Sequence, residues 1–160
     1  MTTNRTVLPE ESLDPEDWEA MRALGHRMVD DMLDHLIEMR ERPAWQHAPQ
    51  DVKSHFEDPA PLEPQPAESV YEEFLQYVLP YPLGNSHPRF WGWIAGTGTV
   101  MGAFAELLAT MTNTPSGAFA YISPNYVEQQ VVYWCKQMLG YPFSASGILT
   151  SGCSASNLIG

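Results

Sequence analysis

The sequence predicts a mainly α-helical chain whose second half is covered by further protein. Apolar residues recur every three to four positions in several segments, which is the spacing of one face of an α-helix. The net charge of −12 lies entirely in residues 1–73, which carry 18 acidic and 6 basic side chains, whereas residues 74–160 carry two of each. A free domain surface is about a quarter to a third charged. We therefore expect residues 74–160 to lie against another chain, or to begin a larger body that continues past Gly160.

Composition excludes several classes of protein. The acidic balance argues against a nucleic-acid partner, which requires clustered lysine and arginine, and 44% hydrophobic residues argue against a disordered chain. Cys135 and Cys153 form no disulfide framework. The N-terminus lacks the apolar stretch of a signal peptide, and no apolar run is long enough to span a membrane. A soluble, cytoplasmic protein is expected.

The first predicted element is a long amphipathic helix that follows a polar tail over residues 1–13. We expect Asp14 to cap it, Pro15 to occupy its first position and Pro43 to end it. No other predicted helix is as long, so we expect it to act as an arm laid on a larger body. Its apolar stripe consists of Trp18, Met21, Leu24, Met28, Val29, Met32, Leu33, Leu36 and Ile37.

The arm continues to residue 80 through a connector and a second helix. Six prolines punctuate residues 43–66, which are therefore predicted to be extended. A helix is predicted from Glu68 to Leu79 and ends at Pro80. Its apolar side is predicted to hold Val70, Phe74, Tyr77 and Val78.

Residues 81–160 are predicted to form a second region. A loop rich in glycine, proline and aromatic residues occupies 81–98, and a helix from Thr99 to about Met111 is apolar almost all round, which predicts burial. Ser123 and Pro124 are expected to start a helix that Gly140 closes after Leu139. From Gly147 the pattern predicts a short strand, a glycine turn and the first turn of a helix.

The first candidate site is the turn Thr150-Ser-Gly-Cys-Ser-Ala-Ser-Asn157. Small residues at such a turn let the backbone approach a ligand, and the N–H groups of a helix start, with nearby hydroxyls, suit a phosphate. An ordinary helix cap is the alternative, because serine and asparagine commonly start helices. A serine nucleophile at Ser154 is a third interpretation, although the final glycine of the Gly-x-Ser-x-Gly elbow is missing.

Two further segments contain suggestive residues. The glycines from Gly96 to Gly102 imitate a dinucleotide-binding fingerprint, but no buried strand precedes them and no acid follows at the required distance. The run Phe90, Trp91 and Trp93 could line a pocket for an apolar ligand or pack against a core. His87 is expected to be a structural hydrogen-bonding residue, and the histidines have no metal-ligand spacing, so no metal site is predicted.

Taken together, these motifs resemble a known family. They are Gly25-His-Arg-Met-Val-Asp-Asp-Met, His87-Pro-Arg-Phe-Trp-Gly-Trp, Ser123-Pro-x-x-x-Glu128, Trp134-x-x-x-Met-Leu-Gly140 and Leu149-Thr-Ser-Gly-Cys-Ser-Ala-Ser-Asn-Leu158. In this order they resemble the N-terminal portion of the group II pyridoxal-phosphate-dependent amino acid decarboxylases, the family of aromatic-L-amino-acid decarboxylase and glutamate decarboxylase. The resemblance runs from about Glu16 to Gly160.

The resemblance implies a cofactor, a substrate pocket and a partner. Cys153 and Ser154 match the positions that hold the phosphate of pyridoxal 5'-phosphate, and Trp91, Trp93, Ile94 and, from the 113–122 loop, Phe119 match positions near the substrate. The implied partners are an amino acid substrate and a second copy of the chain, bound through the N-terminal helices. The implied fold is a helical segment followed by the first elements of a fold-type I α/β large domain.

The resemblance also places the catalytic machinery outside these residues. The Schiff-base lysine, the aspartate at the pyridine nitrogen and the histidine stacked on the ring are expected beyond Gly160, because neither Lys53 nor Lys136 has a His-Lys context. We therefore expect a carboxy-lyase of amino acid metabolism, most consistent with an aromatic substrate, of which this chain is an N-terminal fragment that is inactive alone. The alternatives are a non-catalytic dimerisation module and the beginning of a serine hydrolase that uses Ser154.

Overall fold

The computed structural model describes residue 12 and residues 14–114 and 121–160, and the regular structure in these residues is helical. The chain divides into two compact units, one ending at Val100 and the other beginning at Met101. The first holds α1 (Trp18–Ile37) with a 3-10 turn (Glu38–Glu41), α2 (Gln50–His55) and α3 (Ala67–Glu73) with a π-helical continuation (Phe74–Val78). After it come α4 (Val100–Thr112), α5 (Ser123–Leu139) and α6 (Cys153–Ile159).

The long N-terminal helix is present, but it begins later than predicted. Asp17, rather than Asp14, is the N-cap, because its Oδ1 accepts hydrogen bonds from the backbone N–H groups of Glu19 and Ala20 at 2.9 and 3.0 Å. With the 3-10 turn, the helical path ends at Glu41, just before Pro43 as predicted. The prediction failed at the start because Asp14 and Asp17 are chemically equivalent caps.

Residues 43–66 were predicted to be extended. The prediction is wrong in part, because these residues contain α2. Val52 on this helix is only 4% exposed. Burial of one apolar side chain in the first unit can offset the weak helix-forming tendency of a six-residue segment. The proline count predicted the ends of this segment correctly and missed the helix between them.

α3 begins at Ala67 and joins the π-helical segment, so the helical path ends close to the predicted Leu79. The face predicted to be apolar is wrong in part. Tyr71 is the buried residue at 6% exposure, whereas Val70 is half exposed. The tyrosine turns inward because its hydroxyl donates a 2.7 Å hydrogen bond to Asp31 Oδ2 on α1.

Ion pairs made by an arginine on α1 connect this helix to α3. The Arg27 guanidinium pairs with Glu68 and with Glu72, the latter at 2.6 Å. Its central carbon also lies 5.4 Å from the centre of the Tyr71 ring, within the range of a cation–π contact. These contacts fix the register of α3 along α1.

The connector after α1 is held against the turn that follows α3. Gln46 Nε2 donates to the carbonyl of Pro80 at 2.8 Å. Gly84, at φ +83°, approaches the same connector so closely that a Cβ built on it would lie 1.8 Å from the carbonyl oxygen of Ala44. Only glycine fits at this point.

The second unit has helices near the predicted bounds but no buried side chain among its described residues. Gly140 ends α5 at φ +70°, and the backbone N–H of Tyr141 donates to the carbonyl of Lys136 at 3.0 Å, as in a Schellman cap. Ser123 is the first helical residue, with Ile122 at the cap position. The predicted burial of α4 is not seen within this chain, since Met101 and Met111 are more than 70% exposed.

The strand predicted from Gly147 is wrong, because the described part of the chain contains no β-strand. Ile148 and Leu149 precede the glycine turn without regular structure. A strand requires a neighbouring strand with which to pair, and the described residues supply none. The same residues contain no helix that is both long and apolar enough to cross a membrane.

Candidate functional site

Contacts from α5 hold the segment that leads into the Thr150–Asn157 turn. Glu128 Oε1 accepts a 2.8 Å hydrogen bond from the backbone N–H of Leu149. Lys136 Nζ donates to the carbonyl of Phe143 at 2.7 Å and lies 5.4 Å from the centre of that ring. Gly147 packs so near Val132 that a Cβ would lie 3.1 Å from its methyl group. The segment is therefore positioned by the helix before it.

Two hydroxyl groups brace the turn itself. Thr150 Oγ1 and Ser156 Oγ lie 2.6 Å apart, and both lie within hydrogen-bonding distance of the Gly152 carbonyl, at 3.1 and 3.3 Å. The backbone N–H of Ser156 donates to the same carbonyl at 3.1 Å, which is the first helical hydrogen bond of α6. Cys153 and Ser154 stand before that first bond, so the helix itself provides no acceptor for their N–H groups.

These residues fit a phosphate group. Nothing lies within 4 Å of where a Cβ on Gly152 would be, so the approach to the helix start is open. Cys153 and Ser154 are exposed there. The Cys153 sulfur accepts a 3.5 Å hydrogen bond from Asn157 Nδ2, one turn along α6. The thiol thus has a partner on its own helix, and the N–H groups remain available to an anion.

Sequence reasoning missed the bracing residues Thr150, Ser156 and Glu128. Thr150 and Ser156 lie six positions apart on either side of the glycine, and nothing in that spacing predicts their contact. Glu128 carried a signal, because it is the only acidic residue of α5 in a nearly uncharged half of the chain. An isolated charge in such a sequence usually has a structural partner.

The serine-nucleophile interpretation gains no support from the second unit. A serine becomes nucleophilic when an adjacent base accepts its proton, most often a histidine. Residues 101–160 contain no histidine. The unit that carries Ser154 therefore supplies no imidazole to activate it.

The aromatic loop of the first unit presents its side chains outward. Trp91 is 92% exposed and Trp93 is 86% exposed, and Ile94 is fully exposed. The alternative that these residues pack into a core is thus not realised in this chain. Both indoles line an open concavity of about 440 Å³, whereas Ile94 is not among its lining residues. Phe119, the fourth predicted substrate residue, lies outside the described residues.

Trp93 has an unusual backbone conformation within this loop. Its φ of +61° lies in the left-handed region, which costs a non-glycine residue of order 1–3 kcal/mol. Asn85 Nδ2 donates to the carbonyl of Gly96 at 3.0 Å and so joins the two ends of the loop. Strain that persists in an exposed loop is typical of functional positions.

His87 is 5% exposed at the start of this loop. Its Nδ1 accepts a 3.0 Å hydrogen bond from the backbone N–H of Arg89, which shapes the His-Pro-Arg-Phe turn. The expected structural role is therefore confirmed for one of its two ring nitrogens.

The relatives of this chain are amino acid decarboxylases. It is 28% identical over 142 residues to an aromatic-L-amino-acid decarboxylase of Bacillus atrophaeus, which covers 88% of this chain and 30% of the relative. It is 29% identical over 137 residues to tryptophan decarboxylase 2 of Oryza sativa. This match covers 83% of this chain and 27% of the relative. The chain thus spans about 30% of the length of the curated relatives it matches. No family model matches it.

Solved structures give a matching result for the fold. Oryza sativa TDC with PLP and tryptamine superposes with a TM-score of 0.70 at 22% identity, over 88% of this chain and 30% of that one. Catharanthus roseus tryptophan decarboxylase in complex with L-tryptophan gives a TM-score of 0.66 at 24% identity. This superposition covers 81% of this chain and 27% of that one. The fold of this chain is therefore one found within these decarboxylases.

The resemblance identified from the motifs is confirmed by these matches. The chain is similar to decarboxylases named for aromatic amino acids, which fits the group II pyridoxal-phosphate-dependent family that the motifs resemble. The names of these relatives refer to decarboxylases of aromatic amino acids in general, of tryptophan or of tyrosine.

Proposed function

We propose that this chain takes part in the pyridoxal-phosphate-dependent decarboxylation of an aromatic L-amino acid to its amine and carbon dioxide. The observation that carries the proposal is the turn before α6, whose exposed N–H groups and braced hydroxyls suit a phosphate. The names of the relatives support the reaction and the aromatic substrate.

Cys153 and Ser154 are the proposed phosphate ligands. Their backbone N–H groups and the Ser154 hydroxyl would bind the phosphate at the positive end of α6, where the helix dipole adds to the attraction. Thr150 and Ser156 would act as positioning residues that hold the turn open. Pyridoxal phosphate, when bound, accepts the electron pair that remains after carbon dioxide leaves the amino acid.

These 160 residues are proposed to be inactive by themselves. The reaction requires a lysine that bonds covalently to the cofactor, and the chain has only Lys53 and Lys136. Lys136 is engaged with the carbonyl and ring of Phe143. Lys53 lies exposed on α2. The proposed fold-type I large domain would then supply the lysine, a carboxylate and a histidine from residues that this chain does not contain.

Trp91, Trp93, Ile94 and Phe119 are proposed to contact the substrate side chain. Exposed indoles bind aromatic rings by stacking and by burial of apolar area. The left-handed backbone of Trp93 supports a functional role, because packing alone gives no reason for it. A homodimer formed through the N-terminal helices is also proposed, and the half-exposed apolar residues of α1, such as Met28, support it.

A binding experiment tests the phosphate site directly. The purified chain is titrated with pyridoxal 5'-phosphate and followed by its phosphorus NMR signal. Ser154→Ala is expected to weaken binding by about tenfold or more, because it removes a hydrogen bond to a charged group. The matched control is Ser144→Ala, at an exposed serine outside the turn. Equal affinity of the two variants would contradict the assignment of Ser154.

An activity experiment tests the reaction. Release of carbon dioxide from tryptophan, tyrosine and glutamate is measured with the 160-residue chain and with a protein that also carries the lysine-containing region of a relative. We expect turnover of the aromatic substrates by the second protein only. Turnover by the 160-residue chain would contradict its proposed inactivity, and a preference for glutamate would contradict the aromatic substrate.

A non-catalytic dimerisation module is the second candidate function. The observation in its favour is the large exposed apolar surface of the second unit, including Tyr121 and Phe143. This candidate predicts self-association with no affinity for pyridoxal phosphate. The phosphate titration therefore separates the two functions.

A further inference from the structure

A cavity of about 400 Å³ lies inside the first unit. It is bounded by the end of α1, connector residues 42–46, the π-helical segment and the turn over residues 82–87. Its volume lies within the range of small-molecule binding sites. The walls are largely apolar and include Leu36, Met39, Phe74, Val78, Leu79 and Pro80.

Two histidines that line this cavity have buried ring nitrogens without a hydrogen-bond partner among the described residues. The nitrogens are Nδ1 of His35 on α1 and Nε2 of His87 in the turn. The whole His87 residue is only 5% exposed. Native structures rarely leave a buried polar atom unpaired, because its lost hydration is then uncompensated. Both residues border this cavity, so a ligand that fills it could supply the missing hydrogen-bond partners.

The hydrogen bond on the other side of the His87 ring determines what that ligand must offer. Nδ1 accepts the backbone N–H of Arg89 at 3.0 Å and so carries no proton. In such a ring the proton is on Nε2, which is then a donor. The missing partner of His87 must be an acceptor, such as a carboxylate or carbonyl oxygen. A metal ion is excluded at Nε2, because this nitrogen has no free lone pair.

The charges around the cavity favour an anionic acceptor. Burial, followed by the neighbouring Arg42 guanidinium, lowers the pKa of His35, which leaves its ring neutral at pH 7. Arg42 lines the cavity and has five N–H donors, while its 2.9 Å partner Glu38 lies outside the lining. The described lining contains no acidic residue that could pair with an ammonium group.

We propose that this cavity binds a small molecule with an apolar body and a carboxylate, which accepts hydrogen bonds from His87 Nε2 and from Arg42 or His35. The apolar walls contact the body of the molecule, and the polar end of the cavity contacts the carboxylate. An amine in place of the carboxylate would face two donors, His87 Nε2 and the Arg42 guanidinium, and should therefore bind more weakly. None of the residues proposed for the decarboxylation line this cavity, although Asn85, Ser86 and His87 also line the concavity of Trp91 and Trp93.

The test uses 3-phenylpropanoate as the probe and 2-phenylethylamine as its cationic counterpart. The purified protein is titrated with each, and the side-chain nitrogen signals of its histidines are followed by NMR. We expect 3-phenylpropanoate to shift the His87 Nε2 and His35 signals in a saturable manner and the amine to leave them unchanged. His87→Phe keeps a ring but removes the donor, and it should weaken binding by about tenfold or more.

The control variant is His26→Phe, at an exposed position of α1, and it should bind as the unsubstituted protein does. Far-UV circular dichroism reports whether the His87→Phe variant is folded. If it is not, the shifts of the histidine NMR signals in the unsubstituted protein decide whether the probe binds. The proposal is overturned by an absence of shifts at about 10 mM probe, well above a millimolar dissociation constant. Equal binding of the amine, or full binding by a folded His87→Phe variant, would overturn it as well.

Discussion

Gly84 joins the turn after α3 to the connector by direct backbone contact. Replacing it with alanine should destabilise the first unit by about 1–3 kcal/mol, because φ is +83° and the new Cβ would meet the Ala44 carbonyl. Urea unfolding measures the change. Gly25→Ala is the matched control, since nothing lies within 4 Å of its Cβ position inside α1, and it should stabilise the helix by up to about 1 kcal/mol. Equal effects of the two substitutions would show that Gly84 does not contact the connector.

Tyr71 should make the stability of the first unit depend on alkaline pH. Burial, and then its hydrogen bond to Asp31, raise the pKa of Tyr71 from 10.0 to about 12. The folded state holds this proton more tightly than the unfolded state, so the stabilisation is complete below about pH 10 and is lost as the pH rises through 12. Urea unfolding across this range should show a decline that Tyr71→Phe removes. Tyr126→Phe, at an exposed tyrosine, should leave the decline unchanged.

Between elements, Arg27 is the main charged link from α1 to α3. Arg27→Ala should lower the midpoint of thermal unfolding, because Glu68 and Glu72 then repel each other and the Tyr71 ring loses its cation. The effect should shrink at high salt, since these groups are partly exposed. The control is Arg22→Ala, whose 3.7 Å pair with Glu19 stays within α1. A salt-independent loss would indicate that packing of the arginine stem, and not its charge, joins the helices.

In the second unit, Glu128 connects α5 to the segment before the Thr150–Asn157 turn, the proposed phosphate site. Glu128→Ala removes the acceptor of the Leu149 N–H and should weaken the affinity for pyridoxal phosphate by about tenfold. Glu128→Gln keeps an acceptor oxygen and should retain most of the affinity. Phosphorus NMR titration measures both variants. Glu106→Ala, at an exposed acid of α4, is the control, and the same loss there would point to net charge as the cause.

The accuracy of sequence reasoning differed among the elements. The ends of α1 and α5 were predicted because Pro43 and Gly140 act on the backbone locally. α2 was missed because its formation depends on the burial of Val52, which a proline-rich sequence does not reveal. The face of α3 was misassigned because the polar group of Tyr71 finds its partner forty residues away, on Asp31.

Over the whole molecule, the described buried side chains are Leu24, Val52, Tyr71 and His87, all in the first unit. Many large apolar residues of the second unit, among them Leu107 and Leu108 on α4, are more than half exposed. Apolar surface of this extent marks a binding interface or causes aggregation. The low charge of this part of the sequence therefore corresponds to apolar surface that the described residues of the second unit leave exposed.

This surface should make the 160-residue chain self-associate. Sedimentation velocity at increasing concentration should give a mass above the 18.0 kDa of one chain. Leu108→Lys places a charge on the exposed apolar face of α4 and should lower the association without loss of helix. Gln130→Lys adds the same charge at an exposed polar position of α5 and should have little effect. A single chain of 18.0 kDa at all concentrations would contradict this prediction.

The sequence by itself determined the helical class, the main helix ends and the position of the Thr150–Asn157 turn proposed to bind phosphate. Each depends on local rules of periodicity, capping and small residues near a glycine, which act over a few positions. Only the tertiary structure decided that Thr150 and Ser156 brace the turn, that Glu128 holds its approach and that two histidines leave unpaired nitrogens at one cavity. The physical reason is that such contacts depend on distances between segments, and no local preference of the chain specifies those distances.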